Sequence, residues 1–261
     1  MREYWKKIYK TRYFWSHLTK NDLNARFRRS KLGILWLVVQ PFILTIIMAT
    51  VFSTVFRQEL GEYLIYILSG MVVWDLISSS TISAGSCIMA SEQYIRQYNH
   101  PITIYTLRFA LLNTVSFVVE INALILLCII MKPINIIFGV LTLPLTTCLY
   151  FCLAWSVTTI AGYSNTKYRD YPQIMALIMQ TIWYLSPVFF KKEQFTSNEV
   201  LLKFFDLNPI THILNLVREP FLYGRMPEAK SYLFTIGCIL FFSIWAFLVN
   251  RKNEKTIIFY L

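Results

Sequence analysis

Residues 32–56 form an uncharged stretch of 25 residues. A helix rises about 1.5 Å per residue, so this stretch would reach roughly 37 Å and could cross a hydrocarbon layer of about 30 Å with some tilt. Four cations directly precede it: Arg26, Arg28, Arg29 and Lys31. Lys and Arg beside an apolar span mark its cytoplasmic end. The stretch therefore predicts a membrane-spanning helix that begins on the cytoplasmic side.

Apolar stretches of similar length recur along the chain, which is 56% hydrophobic with a mean hydropathy of +0.50. Soluble domains have an apolar share of about 45–50%. The recurrence predicts an all-α membrane protein, because each stretch matches the thickness of a bilayer. The six predicted spans cover residues 32–56, 63–83, 102–131, 136–160, 174–190 and 232–249. The segments 57–62 and 132–135 are short, so spans 1–2 and spans 3–4 should each form a helical hairpin.

The distribution of Lys and Arg predicts the orientation. The side that carries both termini has sixteen of these residues, ten of them in residues 1–31, whereas the opposite side has eight, six of them in residues 191–231. Cytoplasmic loops carry the excess of positive charge, so both termini are predicted to be cytoplasmic. The net charge of +11 then favours contact with anionic lipid headgroups rather than nucleic acid.

Residues 4–20 predict an amphipathic helix that lies in the cytoplasmic interface. At 100° per residue, one face is apolar and aromatic and the other carries Lys and His. The apolar face comprises Tyr4, Trp5, Ile8, Trp15 and Leu18. A solvated basic tail is the alternative interpretation.

Two segments between spans are longer than turns. Residues 85–101 lie on the cytoplasmic side, and Ser91–Tyr98 can form a short helix that ends at the sequence Asn-His-Pro. Residues 191–230 lie on the outer side, and their apolar pieces are too short to cross. These pieces predict helices that enter the outer leaflet and return, packed against protein.

Motifs for chemistry are absent from the sequence. It contains no GxxxxGK[ST], GxGxxG or GxSxG, and its three histidines lie in three separate segments. None of its five cysteines forms a CxxC pair. We therefore expect no catalytic residue, no metal site and no cofactor bound by this chain.

Four segments, in chain order, resemble the polysaccharide-export permeases of the ABC-2 type. They are "TKNDLNARFRRSKLGILWLVVQP", "LSGMVVWDLISSS", "YRDYPQIMALIMQTIWYLSPVFF" and "LNPITHILNLVREPFLYG". The resemblance covers essentially the whole chain. It implies one transmembrane domain over 1–261, with a cytoplasmic interfacial segment (1–31), a six-span bundle (32–249) and a cytoplasmic tail (250–261).

The resemblance also implies partners. Members of this family export O-antigen, capsular polysaccharide or teichoic acid, linked to lipid, across the inner membrane of a bacterium. They work as two permease copies with two separate ATPase subunits, which bind ATP and Mg²⁺. O-antigen is the first expectation for this chain, and capsule or teichoic acid follows.

A coupling helix that docks in the ATPase is implied within residues 85–101, formed by Ser91, Glu92, Gln93, Tyr94, Ile95 and Arg96. A small polar and aromatic surface suits the transfer of rigid-body motion. The sequence "IRQYNHP" departs from the basic-rich segment that relatives often have, which leaves the detailed contacts with the ATPase open.

Spans 1 and 5 line the conduit in the resembled family, which implies that pathway residues are Trp36, Gln40, Pro41, Phe42, Trp183, Tyr184 and Ser186. Pro41 should kink span 1, and Gln40 would be costly facing lipid. Flat aromatic rings can support the apolar faces of sugars. Ordinary packing remains the alternative role for each of these residues.

Asp75 and Arg108 are predicted to form a buried ion pair. Counted from the ends of their spans, the two side chains reach similar depths in the membrane, where a lone charge is expensive. Only Glu120 is also charged within a span.

Two other classes of function stay open from the residues. One is a lipid or secondary transporter that works alone, which would need ion-coupling groups at the midplane. The other is a membrane-embedded transferase acting on lipid-linked sugars. Co-purification with a separate ATPase would distinguish an ABC permease from both.

Overall fold

A computed structural model describes residues 2–28, 30–98, 100–131, 136–195 and 198–261. These residues form α-helices joined by short 3₁₀ turns, and none of them is in a strand. The helices are α1 (Arg2–Lys10), α2 (Arg12–Phe27), α3 (Trp36–Phe56), α4 (Leu60–Thr81), α5 (Glu92–Gln97), α6 (Thr103–Met131), α7 (Ile136–Lys167), α8 (Tyr171–Leu185), α9 (Glu199–Leu207), α10 (Pro209–Tyr223) and α11 (Ala229–Asn253).

Five of these helices are long and apolar enough to cross a membrane: α3 with its preceding 3₁₀ turn, α4, α6, α7 and α11. A sixth candidate is the bent pair of α9 and α10, which meet at 77°. The predicted all-α multi-span fold is therefore confirmed. The predicted turn at 132–135, together with Arg29 and Asn99, lies outside the described residues.

Helix α8 is shorter than the predicted fifth span. It has 15 residues, so it is roughly 22 Å long. Pro172 lies in its first turn, and Ser186 has an extended backbone with φ −113° and ψ 146°. A residue before proline is forced out of the helical region, and Pro187 therefore ends α8 before the apolar residues that hydropathy had included.

Both chain termini lie at the same end of the bundle. We call the end that holds both chain termini the terminus end and the opposite end the far end. At the terminus end, the hydroxyl of Tyr4 donates to Glu254 (2.8 Å), and the hydroxyl of Tyr163 donates to Asn250 (2.7 Å). Burial raises the pKa of Tyr4 to about 12. This network fixes α1 to α11.

The N-terminal segment forms two helices, α1 and α2, instead of the single predicted helix. Helix α1 ends at Lys10, and the hydroxyl of Thr11 donates to the carbonyl of Ile8 (3.0 Å) at the break. Two residues of the predicted apolar face are buried, since Ile8 and Leu18 are each 6% exposed. Helix α2 packs against α6, so part of this segment is held by protein.

Helix α4 lies at the centre of the main hydrophobic core. Its side chains Ile65, Ile67, Leu68, Val72 and Val73 are fully buried, and it packs against α3, α6, α7 and α10. Burying a Val, Leu or Ile side chain stabilises a fold by about 1.5–3 kcal/mol. These four helices are thus arranged around α4.

Helices α9 and α10 form a bent pair at the place where re-entrant helices are predicted, between spans 5 and 6. Asn208 separates them, and its side-chain oxygen accepts from the amide of Ile210 (2.9 Å) at the start of α10. Gly224 ends α10 with a φ of +62°, a conformation that glycine adopts without a steric penalty.

Candidate functional site

The predicted coupling segment forms helix α5 at the terminus end. Two of its six predicted residues hold the helix in place. The buried hydroxyl of Ser91 donates to the carbonyl of Cys87 (2.8 Å), and Ile95 is buried in a small core with Ile102 and Tyr105. The other four predicted residues are at least partly exposed: Glu92, Gln93, Tyr94 and Arg96.

An ion pair and an aromatic contact organise this exposed surface. Arg96 Nε lies 2.9 Å from Glu92 Oε1, one turn apart on α5. The ring of Tyr94 meets that of Phe14 on α2 edge to face, with centroids 6.0 Å apart. Helix α5 therefore touches α2, and we call the side chains of Glu92, Gln93, Tyr94 and Arg96, together with Phe14, the coupling surface.

The predicted Asp75–Arg108 ion pair is wrong. Arg108 pairs with Asp22 on α2 through two hydrogen bonds, from Nε and from Nη2. Depth along a helix gave the height of each charge but not the direction in which its side chain points. The packing of α2 along α6, which span counting cannot show, brings Asp22 to Arg108.

Asp75 lies instead beside a second acid. That acid is Glu120 on α6, and the charge of Arg26 acts on both carboxyl groups. Glu120 is 3% exposed. The sequence analysis assigned no partner role to Asp22, Arg26 or Glu120. One signal was present, because Asp22 and Arg26 are four residues apart and so lie on one face of α2.

The seven predicted pathway residues fall into two groups. Trp36, Gln40, Pro41 and Phe42 lie near the terminus end of α3, whereas Trp183, Tyr184 and Ser186 lie near the far end of α8. Within one chain the structure does not bring the two groups together. Helix α3 continues through Pro41.

Their surroundings differ as well. Trp36 and Tyr184 are 45% and 58% exposed, and Gln40 is also exposed. Phe42 is partly buried against the main core. Trp183 stacks on Phe189 with centroids 4.8 Å apart. Pro41 is half-buried. Ser186 is buried, and its hydroxyl accepts a hydrogen bond from the side-chain amide of Asn208 (3.0 Å).

A non-helical segment, residues 186–190, follows α8 at the far end, and side chains satisfy its carbonyl groups. Tyr63 donates to Phe189, and Tyr66 donates to Phe190 (2.7 Å). Arg218 Nη2 donates to the carbonyl of Val188 (2.6 Å). Backbone of this kind at membrane depth needs such partners, because lipid offers none.

Arg218 is a functional candidate that the sequence analysis missed. It is 2% exposed, and its guanidinium carbon lies 3.8 Å from the ring centroid of Tyr66. A charge this deep is stable only with partners, which here are carbonyl groups and an aromatic face. The sequence showed it within the family-like segment "LNPITHILNLVREPFLYG" and as one cation of the long outer segment, with no role assigned to it.

Two cavities adjoin these elements. An apolar cavity of about 630 Å³ separates α8 from α4, α7 and α11. A polar cavity of about 850 Å³ lies at the far end, between the 187–194 segment and α10. Across the described ranges, no cluster of three or more His, Cys, Asp or Glu side chains is placed to hold a metal ion.

The profile of the family described as "ABC-2 type transporter" matches residues 13–222 of this sequence. The chain belongs to the ABC-2 type transporter family. The predicted family is thereby confirmed, and this ABC-2 chain is a multi-pass membrane protein. Residues 13–222 include α3 to α9 and all but the last residue of α10, and so both the coupling surface and the far-end cavity belong largely to the shared domain.

Curated relatives of this ABC-2 chain match it over most of their own length. One is an O-antigen export system permease protein RfbA from Klebsiella pneumoniae, 22% identical over 85% of this chain and 86% of the relative. A second RfbA, from Myxococcus xanthus, is 20% identical over 95% and 96%. The polysialic acid transport protein KpsM from Escherichia coli is 22% identical over 80% and 81%.

Proposed function

We propose that this chain is the membrane permease of an ATP-driven exporter of lipid-linked polysaccharide in the inner membrane of a bacterium. The observation that carries the proposal is the match over 95% of the chain to a relative named for O-antigen export. O-antigen is the first candidate substrate, and capsule or teichoic acid follows. The absence of a GxxxxGK[ST] sequence supports a separate ATPase subunit that binds ATP and Mg²⁺.

The coupling surface is the proposed contact with that ATPase. Glu92, Gln93, Tyr94 and Arg96 are accessible there, while Ser91 and Ile95 fix α5 to the bundle. A helix fixed in this way transmits a push from a partner as a rigid body. The function of this surface therefore depends on both the exposed and the buried residues of α5.

A second copy of this chain completes the proposed conduit. Helices α3 and α8 are mostly exposed in the single chain, and Met179 is the buried residue of α8. Most of the predicted pathway residues lie on these two helices. Two copies that face each other would therefore bring the α3 group of one chain and the α8 group of the other towards one path. Closed two-fold symmetry is the commonest arrangement of such homo-oligomers.

The first experiment is removal of the gene for this chain. Polymer should be lost from the cell surface and restored by the wild-type chain, and the purified chain should bring down an ATPase subunit. Unchanged surface polymer in the deletion strain would contradict the proposed export. Purification without any ATPase would instead favour a transporter that works alone.

The second experiment tests the coupling surface with Glu92→Ala and Arg96→Ala in one chain. An exposed pair contributes about 0–1 kcal/mol to stability, so the bundle should remain folded. The amount of co-purified ATPase should fall severalfold. The matched control is Lys192→Ala with Asp206→Ala, which removes a similarly exposed 3.0 Å pair at the far end.

The control variant should keep wild-type ATPase association, because its pair lies at the opposite end of the bundle. If the Glu92 and Arg96 variant also keeps full association and full export, α5 is not the main energy-transfer surface.

A further inference from the structure

The far-end polar cavity has the dimensions of a ligand site. Its volume of about 850 Å³ lies within the range of about 300–1,000 Å³ found for small-molecule sites. Its walls come from the end of α3, the start of α4, the 187–194 segment, α9, α10 and the start of α11. The same α10 holds Arg218, which anchors the 187–188 carbonyls, so one wall of the cavity is rigidly positioned.

The charges of the cavity nearly cancel. Five Lys or Arg residues and four carboxylates line it. Lys192 pairs with Asp206 at 3.0 Å, and Arg225 lies 3.4 Å from Glu219. The ammonium group of Lys191 donates to Gln58 (2.9 Å). Because these cations already have partners, the wall offers interspersed donors and acceptors rather than a single strong charge.

Several polar atoms of the cavity walls have no hydrogen-bond partner among the described residues. These are Thr211 Oγ1, Arg218 Nε and both polar atoms of Gln194. Thr211 and Arg218 are more than nine-tenths buried, at 4% and 2% exposure. A buried polar atom without a partner costs about 1–3 kcal/mol, so the residues behind the cavity surface are polar and incompletely satisfied.

Accessible groups complete the lining. Glu193 is exposed and Asn215 is half-buried, and the carboxamide of Asn215 makes no hydrogen bond within the described ranges. The aromatic rings of Phe56 and Tyr223 also line the cavity. Donors, acceptors and flat apolar faces in one cavity are complementary to a sugar ring, which has hydroxyl groups at its edge and C–H groups on its faces.

We propose that this cavity binds sugar rings of the exported polysaccharide at the far end of the bundle. The proposal rests on the proposed export function, which supplies the substrate class. With the predicted orientation, the cavity lies on the side where the polymer leaves the membrane. Asn215 and Glu193 bind ring hydroxyl groups there. The site holds the emerging polysaccharide without requiring that polysaccharide to carry a net charge.

The test measures binding of short oligosaccharides, released by mild acid from the polymer that the host exports, to the purified full-length chain in detergent. Wild type should bind them, with saturation-transfer NMR signals on the sugar protons. Asn215→Leu and Glu193→Gln should each weaken Kd roughly three- to tenfold, which is the loss of about one hydrogen bond. Glu199→Gln is the matched control, since Glu199 lies on the first turn of α9 and does not line the cavity.

Each outcome separates the two proposals. If gene deletion abolishes export but wild type does not bind the oligosaccharides, or the cavity variants bind as wild type does, the cavity proposal fails and export stands. If the sugars bind and the two variants weaken binding while deletion leaves export intact, the export function fails. Inorganic phosphate is the competitor, and its binding in place of the sugars would make the cavity an anion site and overturn the proposal.

Discussion

The Asp22–Arg108 ion pair should hold the N-terminal helix α2 to the membrane bundle. The carboxylate accepts from both Nε and Nη2 of the guanidinium, and the two side chains are 22% and 9% exposed. Helix α2 has one fully buried apolar residue, Leu18, so few apolar contacts can replace the pair. We expect Asp22→Asn or Arg108→Met to loosen α2 from α6.

The expected cost follows from the burial of the pair. Breaking a fully buried pair costs about 3–5 kcal/mol, whereas an exposed pair contributes about 0–1 kcal/mol. Because Asp22 is partly exposed, each single change should lower the free energy of unfolding by about 2–4 kcal/mol. The double variant removes both charges, so no charge is left without a partner. Its cost should therefore be smaller than the sum of the two single costs by about 1–3 kcal/mol. Methionine keeps the apolar stem of Arg108. It removes the guanidinium group, whose carbon lies 6.0 Å and 5.7 Å from the ring centroids of Tyr94 and Phe109.

The assay is a double-mutant cycle on the free energy of unfolding in mixed micelles, with limited proteolysis of residues 2–27 as a second readout. The control cycle combines Arg108→Met with Asp75→Asn. It should be additive within about 0.5 kcal/mol, because Asp75 lies beside Glu120 and Arg108 pairs with Asp22. A coupling energy below about 0.5 kcal/mol for Asp22, or a larger one for Asp75, would refute the assignment.

The remaining predictions concern packing and orientation. Gly139→Ala should destabilise the protein by about 1–3 kcal/mol, because the added methyl group would overlap the buried ring of Phe221. Gly237→Ala meets nothing within 4 Å and should be neutral or stabilise by up to about 1 kcal/mol in the same unfolding assay. In intact cells, a membrane-impermeant thiol reagent should label a single cysteine introduced at Lys203 but not one at Lys255, and the reverse pattern would overturn the predicted orientation.

The sequence allowed the spans to be predicted because the physics that selects them is local. An uncharged run such as 32–56 has few options in a bilayer other than a helix, and α3 with its preceding 3₁₀ turn occupies nearly the same residues. The fifth span was overestimated because hydropathy counts Val188 to Phe190 as apolar and ignores the conformational restriction imposed by Pro187. A rule about proline would have ended the helix at Leu185.

The side-chain partners were harder to predict because they depend on which face each helix turns to its neighbours. Asp75 and Arg108 were placed at compatible depths, yet their actual partners lie on α6 and α2. The role of Arg218 likewise depends on a loop more than 25 residues away along the chain. The exposed part of α5 was foreseen because a short helix with mixed side chains between two spans has few other places to lie.

Helix α8 is fixed to the bundle at both ends and only loosely held between them. At the terminus end the hydroxyl of Tyr171 donates to the carbonyl of Thr81 (3.0 Å), and at the far end the carbonyl groups after Pro187 accept from α4 and α10. Its middle adjoins the 630 Å³ apolar cavity. Outward bowing of the middle of α8 would therefore enlarge that space without breaking any of these terminal hydrogen bonds. The hydrogen bonds at its two ends restrain α8 against movement along its own axis, whereas its middle is free to bend sideways.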